Sequence, residues 1–363
     1  MKSCLGCGSV LQNQDKLQAG FVENIDHAYC LRCFKIKNYN QLVSNEIAVG
    51  EFFDRIQRLV DQADEDLIFY YVLDVFDIEG SRIAEIEKVI KKHTVKLVIN
   101  KIDLLPKSVK LSKIKNYISK LFANTSLNNA DILLVSSKTL NLAEPLFSEI
   151  QNNNQYQQYF IGASNVGKSS LINKMLELSN LSPRIVVSNF LNTTLEFICI
   201  RLDANTVIYD SAGITRSNSI SNLMDQKFLK YCYFKQELKQ FSYRLSSNNS
   251  IFFAGVAWFD YQSETKTDFH IYVNKNINLH RTQTNNAIDY WKKNHKVLIP
   301  HISSQKINTY QFSFTKNDLN QEFDISISGL GWINFVVKEP LNIKIKIPGE
   351  TKSTLVSLRK PLI

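Results

Sequence analysis

No apolar run in this chain approaches the roughly 20 residues that a membrane span needs. The longest, Leu67 to Phe76, is interrupted by Asp74. The N-terminus, MKSCLGCG, lacks both the apolar centre of a secretory signal and the Arg- and Ser-rich amphipathic leader of a transit peptide. A cytoplasmic protein with no membrane partner is therefore expected. Glycine and proline are scarce, 12 and 7 in 363 residues, which argues against long disordered linkers. What remains is 44% hydrophobic and 21% charged, the make-up of a globular protein. The length exceeds what one hydrophobic core usually serves, so two or three domains are expected.

Acidic residues are short only in one part of the chain. Residues 1–216 carry 24 Lys and Arg against 23 Asp and Glu, whereas residues 217–363 carry 19 against 11, so the two parts hold +1 and +8 of the total +9. A basic excess confined to one region suits a polyanionic partner, because cations there release condensed counterions. A solvated Lys-rich surface is the plainer alternative.

Cysteine is also rare, six in all, yet four stand as two CxxC pairs, Cys4 with Cys7 and Cys30 with Cys33. A CxxC turn lets two thiolates converge on one tetrahedral Zn2+, and a second pair closes the coordination sphere. Four thiolates leave no place for water, so such a zinc is structural. Disulfides are disfavoured in a cytoplasmic chain. His27 reads as a surface residue beside a complete ligand set, and Cys199 and Cys232 as buried, inert thiols.

Gly162-Ala163-Ser164-Asn165-Val166-Gly167-Lys168-Ser169 fits the phosphate-loop spacing GxxxxGK[ST], with a strand-like QYFIG running into it and the helical SSLINKMLEL behind it. Glycines let backbone amides face phosphates, and the helix N-terminus adds a favourable dipole. Gly162, Asn165, Val166, Gly167, Lys168, Ser169 and Ser170 are the candidate phosphate contacts, with Lys168 reaching the β and γ oxygens and Ser169 a ligand of Mg2+. Upstream, the strand-like VKLVINKID ends in Asn100, Lys101 and Asp103. The Asp103 carboxylate can accept from guanine N1-H and the exocyclic amine, a donor pair that adenine lacks. A plain surface turn is the other reading of that tetrapeptide alone. A further strand-like run, ILLVSSKTL, ends at Ser137 and Lys138, which would stand beside the base.

Behind the phosphate loop, Asn192-Thr193-Thr194 precedes LEFICIRL, and VIYDSAG ends in Asp210 to Gly213. These match two switch elements: Thr194 closing on Mg2+, Asp210 at the metal, and the Gly213 amide facing the γ-phosphate. Lys168, Thr194, Asp210 and Gly213 are the candidate catalytic groups, and Ser169, Thr194 and Asp210 the candidate Mg2+ ligands. The elements therefore run guanine tetrad, base loop, phosphate loop, first switch, second switch, a circular permutation of the usual order. Such a cut is tolerated where the old termini lie close together at the surface. The predicted fold is α/β: a permuted P-loop GTPase domain with a mostly parallel sheet and helices on both faces.

Together with CLGCG, YCLRCFKIKNYN, VLDVFDIEGS, NKIDLLPKS, GASNVGKSSLIN, NTTLEF, DSAGI, FFAGVAWFDY, NLHRT and SGLGWI, this order resembles the permuted GTPases of the YqeH type. These are zinc-containing bacterial and organellar proteins associated with assembly of the small ribosomal subunit. The resemblance implies a treble-clef-like zinc unit over 1–45, a GTPase over 46–216, and over 217–363 a helical connector and β-rich basic domain that bears on rRNA or ribosomal protein. It also implies a GTP/GDP cycle with K+ held at Asn165, and slow intrinsic hydrolysis, since Ile214 follows DxxG where Ras-type GTPases place a water-orienting Gln. No DNA partner is expected. Two departures stand out: Leu191-Asn192 where the family has Pro-Gly, and Ser211-Ala212 where it has Thr-Pro. A nucleotide-gated RNA-binding scaffold with negligible hydrolysis is the alternative.

In the last third, residues 217–245 read as helical. From Ile251 onward short alternating runs predict strands, with one helix at Asn285 to His295. Phe252, Phe253, Trp258, Phe259 and Tyr261 suit core packing or base stacking. His280, Arg281, Thr282, Lys292, Lys293 and Lys296 are candidate phosphate contacts.

Overall fold

The structure is a computed structural model and describes residues 2–4, 10–14, 20–31, 33–34, 46–179, 197–234, 236–351 and 353–363. The chain forms two units: Met1–Asp103 with Ile114–Arg216, and Leu104–Lys113 with Ser217–Ile363.

In the first unit a short strand, β1 (Glu46–Ile47), precedes β2 (Leu67–Asp74), β3 (Thr94–Asn100), β4 (Asp131–Leu134), β5 (Gln157–Gly162), β6 (Phe197–Arg201), β7 (Val207–Ser211) and β8 (Gly213–Ile214). Six of these make one sheet in the order β4-β3-β2-β5-β7-β6, parallel throughout except that β6 runs against β7. β2 is LIFYYVLD, buried along nearly its whole length. Such an unbroken apolar run is what a strand covered on both faces requires. The sheet grows outward from β2 through β3 and β4, and then restarts on the other side of β2 with β5. That reversal opens a crevice at the carboxyl ends of the strands, where ligands of open α/β sheets bind.

The second unit contains β9 (Gln240–Leu245), β10 (Asn249–Phe253), β11 (Ala257–Ser263), β12 (Thr267–Val273), β13 (Leu279–Gln283), β14 (Ile307–Phe314), β15 (Glu322–Ile327), β16 (Gly331–Val336), β17 (Leu341–Pro348) and β18 (Val356–Arg359). They form two antiparallel sheets, β13-β10-β11-β17-β14 and β18-β15-β16-β12-β9. β17, LNIKIKIP, buries Leu341, Ile343, Ile345 and Ile347 and leaves the residues between them half-exposed. Those side chains share one core with Ile251 and Phe259 of their own sheet and with Phe269, Ile325 and Ile333 of the other. A second cluster lies under the helix Thr284–Asn294, where Ala287 and Trp291 pack on Phe252 and Trp258. The aromatics Phe252, Phe253, Trp258, Phe259 and Tyr261 are all fully buried. They build the core, and base stacking by them is set aside.

Residues 217–245 depart from the helix expected there. They hold two 3-10 segments, Ile220–Leu223 and Gln226–Cys232, followed by β9. Ser219 accepts from the Ser221 amide, the local bonding by which Ser and Asn compete with helix. Further on, Phe241, Tyr243 and Leu245 recur every second residue, the period of a strand. Among the described residues, no helix is long and apolar enough to cross a membrane.

Candidate functional site

The crevice is lined first by the turn from β5 into the helix Lys168–Leu178. A side chain at Gly162 would meet the Val72 carbonyl at 2.6 Å, so only glycine lets β5 leave the sheet there. Gly167, at φ 92°, caps the helix in the left-handed region. A Cβ on it would lie 2.3 Å from Asn100 Nδ2. Asn165 is also left-handed, at φ 68°, and its side chain is exposed.

The loop's neighbours come from the end of β3, upstream in sequence. Asn100 Nδ2 donates to the Val166 carbonyl at 2.9 Å. Lys101 Nζ donates to the Asn165 carbonyl at 2.7 Å and to Asp74 Oδ2, at the end of β2, at 2.5 Å. Asp103 Oδ1 accepts from Ser136 Oγ at 2.7 Å, and its other oxygen lies 3.6 Å from Lys138 Nζ. The Lys138 amide donates in turn to Ser136 Oγ at 3.0 Å. The end of β3 is thus tied to the phosphate loop by side chain to backbone bonds and to the ends of β2 and β4 by side chain to side chain bonds. The reversed order costs the arrangement nothing, because parallel strands deliver their carboxyl ends to one edge whatever their order in the chain.

On the other side of the loop, Lys168 and Asp210 are buried, and Lys168 Nζ donates to Asp210 Oδ1 and to the Ser211 carbonyl. Ser169 is half-buried on the first turn of the helix. Gly213 opens β8, which lies against the loop: the Ser164 amide donates to the Ile214 carbonyl at 2.8 Å, and Ala163 bridges Ile214. Thr194, with Leu191 and Asn192, lies outside the described residues.

Two buried polar atoms at this site have no partner among the described residues, Asn100 Oδ1 and Ser164 Oγ. Burying an oxygen unpaired costs about 1–3 kcal/mol, so both fit a polar ligand seated at the loop. The donor set also fits Mg2+ and a polyphosphate: a hydroxyl, a carboxylate and an ammonium around a helix N-terminus. Sequence reading passed over Asp74, Ser136 and Ser164. Ser136 is buried and Ser137 half-buried, a difference that the run ILLVSSK does not signal.

In the N-terminal segment Cys4, Cys30 and Cys33 are buried, and their sulfurs all lie within 4.8 Å of one another. The Cys30 amide donates to Cys4 Sγ at 3.1 Å, a bond that favours a thiolate. Cys7 lies outside the described residues. Three converging sulfurs suit a soft, tetrahedral metal such as zinc. Cys199 and Cys232 are buried apart from them.

In the second unit His280 and Arg281 are exposed on the edge strand β13 with Thr282 half-buried, and Lys292, Lys293 and Lys296 are exposed at the end of the helix Thr284–Asn294.

Residues 157–247 match the family model described as 50S ribosome-binding GTPase. Residues 266–362 match the model described as YqeH-like, C-terminal. The first match begins at β5, so the ends of β3 and β4 precede it. The chain is 29% identical to uncharacterized protein YqeH of Bacillus subtilis, over 91% of this chain and 92% of that one. It is 24% identical to NO-associated protein 1, chloroplastic/mitochondrial, of Arabidopsis thaliana, over 91% of this chain and 69% of that one. With GTPase Der of Clostridium kluyveri it shares 26% identity over 50% of this chain and 42% of that protein. The chain thus carries a P-loop GTPase domain and a YqeH-like C-terminal domain, and it resembles YqeH over nearly its whole length.

Proposed function

We propose that this chain, which joins a P-loop GTPase domain to a YqeH-like C-terminal domain, hydrolyses GTP as a switch in assembly of the small ribosomal subunit. The observation that carries the reading is the lacing of the Asn100 to Asp103 tetrad onto the phosphate loop, through Asn100 to Val166 and Lys101 to Asn165. That lacing supports reading Asp103 as a base-selecting carboxylate beside a phosphate-binding loop.

Asp103, steadied by Ser136, accepts from guanine, and the Lys101 stem lies along the base. Lys138 and Ser137 flank guanine O6. Backbone amides from Asn165 to Ser170 face the phosphates, with Lys168 offsetting their charge. Ser169, Asp210 and Thr194 are the proposed ligands of Mg2+, which would supply neutralising charge to a bound polyphosphate. Asn165, exposed at the rim, is the proposed K+ ligand. The Gly213 amide donates to the γ-phosphate, so that element reports whether that group is present. Cys4, Cys7, Cys30 and Cys33 hold a structural zinc. The basic second unit, with Lys292, Lys293 and Lys296, meets rRNA or ribosomal protein.

Support for a ribosomal partner, though not for the small subunit in particular, comes from the matched GTPase model, whose description is 50S ribosome-binding GTPase, and from the +8 excess over residues 217–363. The test is GTP hydrolysis in K+ against Na+ buffer, with purified small subunits, large subunits or neither. Stimulation by K+ and by small subunits together is the expected result. Stimulation by large subunits alone would reassign the partner. Tight GTP binding with no stimulation would favour the second reading, a nucleotide-gated scaffold, which Leu191-Asn192 and Ser211-Ala212 make specific.

A further inference from the structure

Two residues of the site other than glycine hold a left-handed backbone, Lys101 at φ 70° and Asn165 at φ 68°. Asn tolerates that region, whereas a residue such as Lys keeps it where its surroundings over-determine it. One ammonium links the two. Lys101 Nζ donates to the Asn165 carbonyl at 2.7 Å and to Asp74 Oδ2 at 2.5 Å. A Cβ on Gly167 would lie 3.7 Å from Lys101 Cε, so the lysine stem passes beside the helix cap.

Asp74 divides its carboxylate between two tasks. Oδ1 accepts from the Phe76 amide at 3.0 Å and caps the turn that ends β2. Oδ2 faces Lys101. The Asp74 and Lys101 side chains are 13% and 19% exposed, so dissolved ions screen their attraction little. Asp74 stands opposite Asn100 in the register of β2 and β3, and it belongs to none of the nucleotide motifs.

From this geometry we infer that Asp74 is a positioning residue for guanine nucleotide binding, acting through Lys101, an inference that rests on the GTPase reading above. The carboxylate stands two hydrogen bonds from the phosphate loop, with the ammonium between them. Paired, it is neutral towards a polyphosphate; bare, it repels one. Without Asp74 the ammonium keeps one of these two ties, and the stem that lies along the base in that reading is held at one point fewer. Without Lys101 the carboxylate is left uncompensated beside the loop. The two side chains therefore act as a unit.

The test measures GTP and GDP affinity of the full chain carrying Asp74→Asn, Lys101→Met, or both. Asp74→Asn keeps an oxygen for the Phe76 amide and sets an NH2 group against the ammonium. It is expected to weaken GTP and GDP alike about tenfold, the loss of one charge-assisted bond. Lys101→Met is expected to weaken both further, and adding Asp74→Asn to it to restore part of that loss. Losses that multiply in the double variant overturn the inference, because residues that act independently add their free energies. Native affinity in Asp74→Asn overturns it as well. If that variant melts lower without nucleotide yet binds with native affinity once folded, the carboxylate is purely structural. A native chain that binds no guanine nucleotide would fail the GTPase reading and this inference together, whereas native binding with multiplying losses sinks this inference alone.

Discussion

At the scale of single residues, the site depends on groups whose partners are few and specific. Lys168→Ala removes the ammonium from a buried position beside Asp210. It is predicted to lower GTP affinity at least a hundredfold, roughly 3 kcal/mol, while the cysteine cluster stays folded; titration with a fluorescent GTP analogue checks it. Asp103→Asn swaps an acceptor for a donor against guanine and is predicted to turn preference toward xanthosine nucleotides, read in a competition assay. Unaltered guanine selectivity would refute the base assignment. Asn100, Lys101 and Asp103 could be grouped from sequence because they stand together at a strand's end. Ser136 could not, because two adjacent serines offer the same chemistry and only the direction of β4 decides which one reaches Asp103. The same limit hid Asp74, whose bond to Lys101 spans two strands that only the sheet makes neighbours.

At the scale of elements, period was the informative signal where it was strong. β3 and β5 are apolar and bounded by polar turns, and both were legible, whereas the longer apolar run of β2 was not read as a strand. β17 alternates strictly and was legible too. The stretch 217–245 was misread because Phe228, Leu229 and Cys232 sit at near-helical spacing, while the Ser and Asn before them favour turns. The aromatics of β10 and β11 illustrate how composition alone leaves a choice open: the same side chains suit a base-stacking face or a core. Burial decides it here. Trp258 stacks on Phe252 at 5.1 Å and on Trp291 at 5.9 Å beneath the helix Thr284–Asn294. Trp258→Ala is therefore predicted to cost about 3–5 kcal/mol of stability in the second unit. Denaturant unfolding measures it, and loss of RNA binding without loss of stability would contradict the core assignment.

At the scale of the whole molecule, the charge asymmetry was visible in the sequence, whereas the particular lysines that meet a partner are not separable from a solvated face. The N-terminal segment has little apolar core: Leu11, Val22 and the three cysteines account for its buried hydrophobic residues among those described. Its folding is predicted to depend on the metal, whose binding supplies on the order of 10 kcal/mol in small zinc units. A chelator should raise amide exchange over residues 2–34 and leave exchange in β2 and β5 unchanged. Protection that persists in the metal-free segment would argue against a structural zinc.

The strand order carries one more consequence, for the nascent chain. Synthesis delivers β2, β3 and β4 before β5 exists, so β2, destined for the middle of the sheet, waits with one edge bare until Gln157–Gly162 has left the tunnel. An exposed edge of LIFYYVLD is a template for pairing with any other extended chain. In an unpermuted relative the phosphate-loop strand emerges first and never leaves that edge open. Permutation therefore shifts the vulnerable moment of this fold to the interval between two strands of its own sheet, and β5 ends the exposure by the same act that completes the pocket.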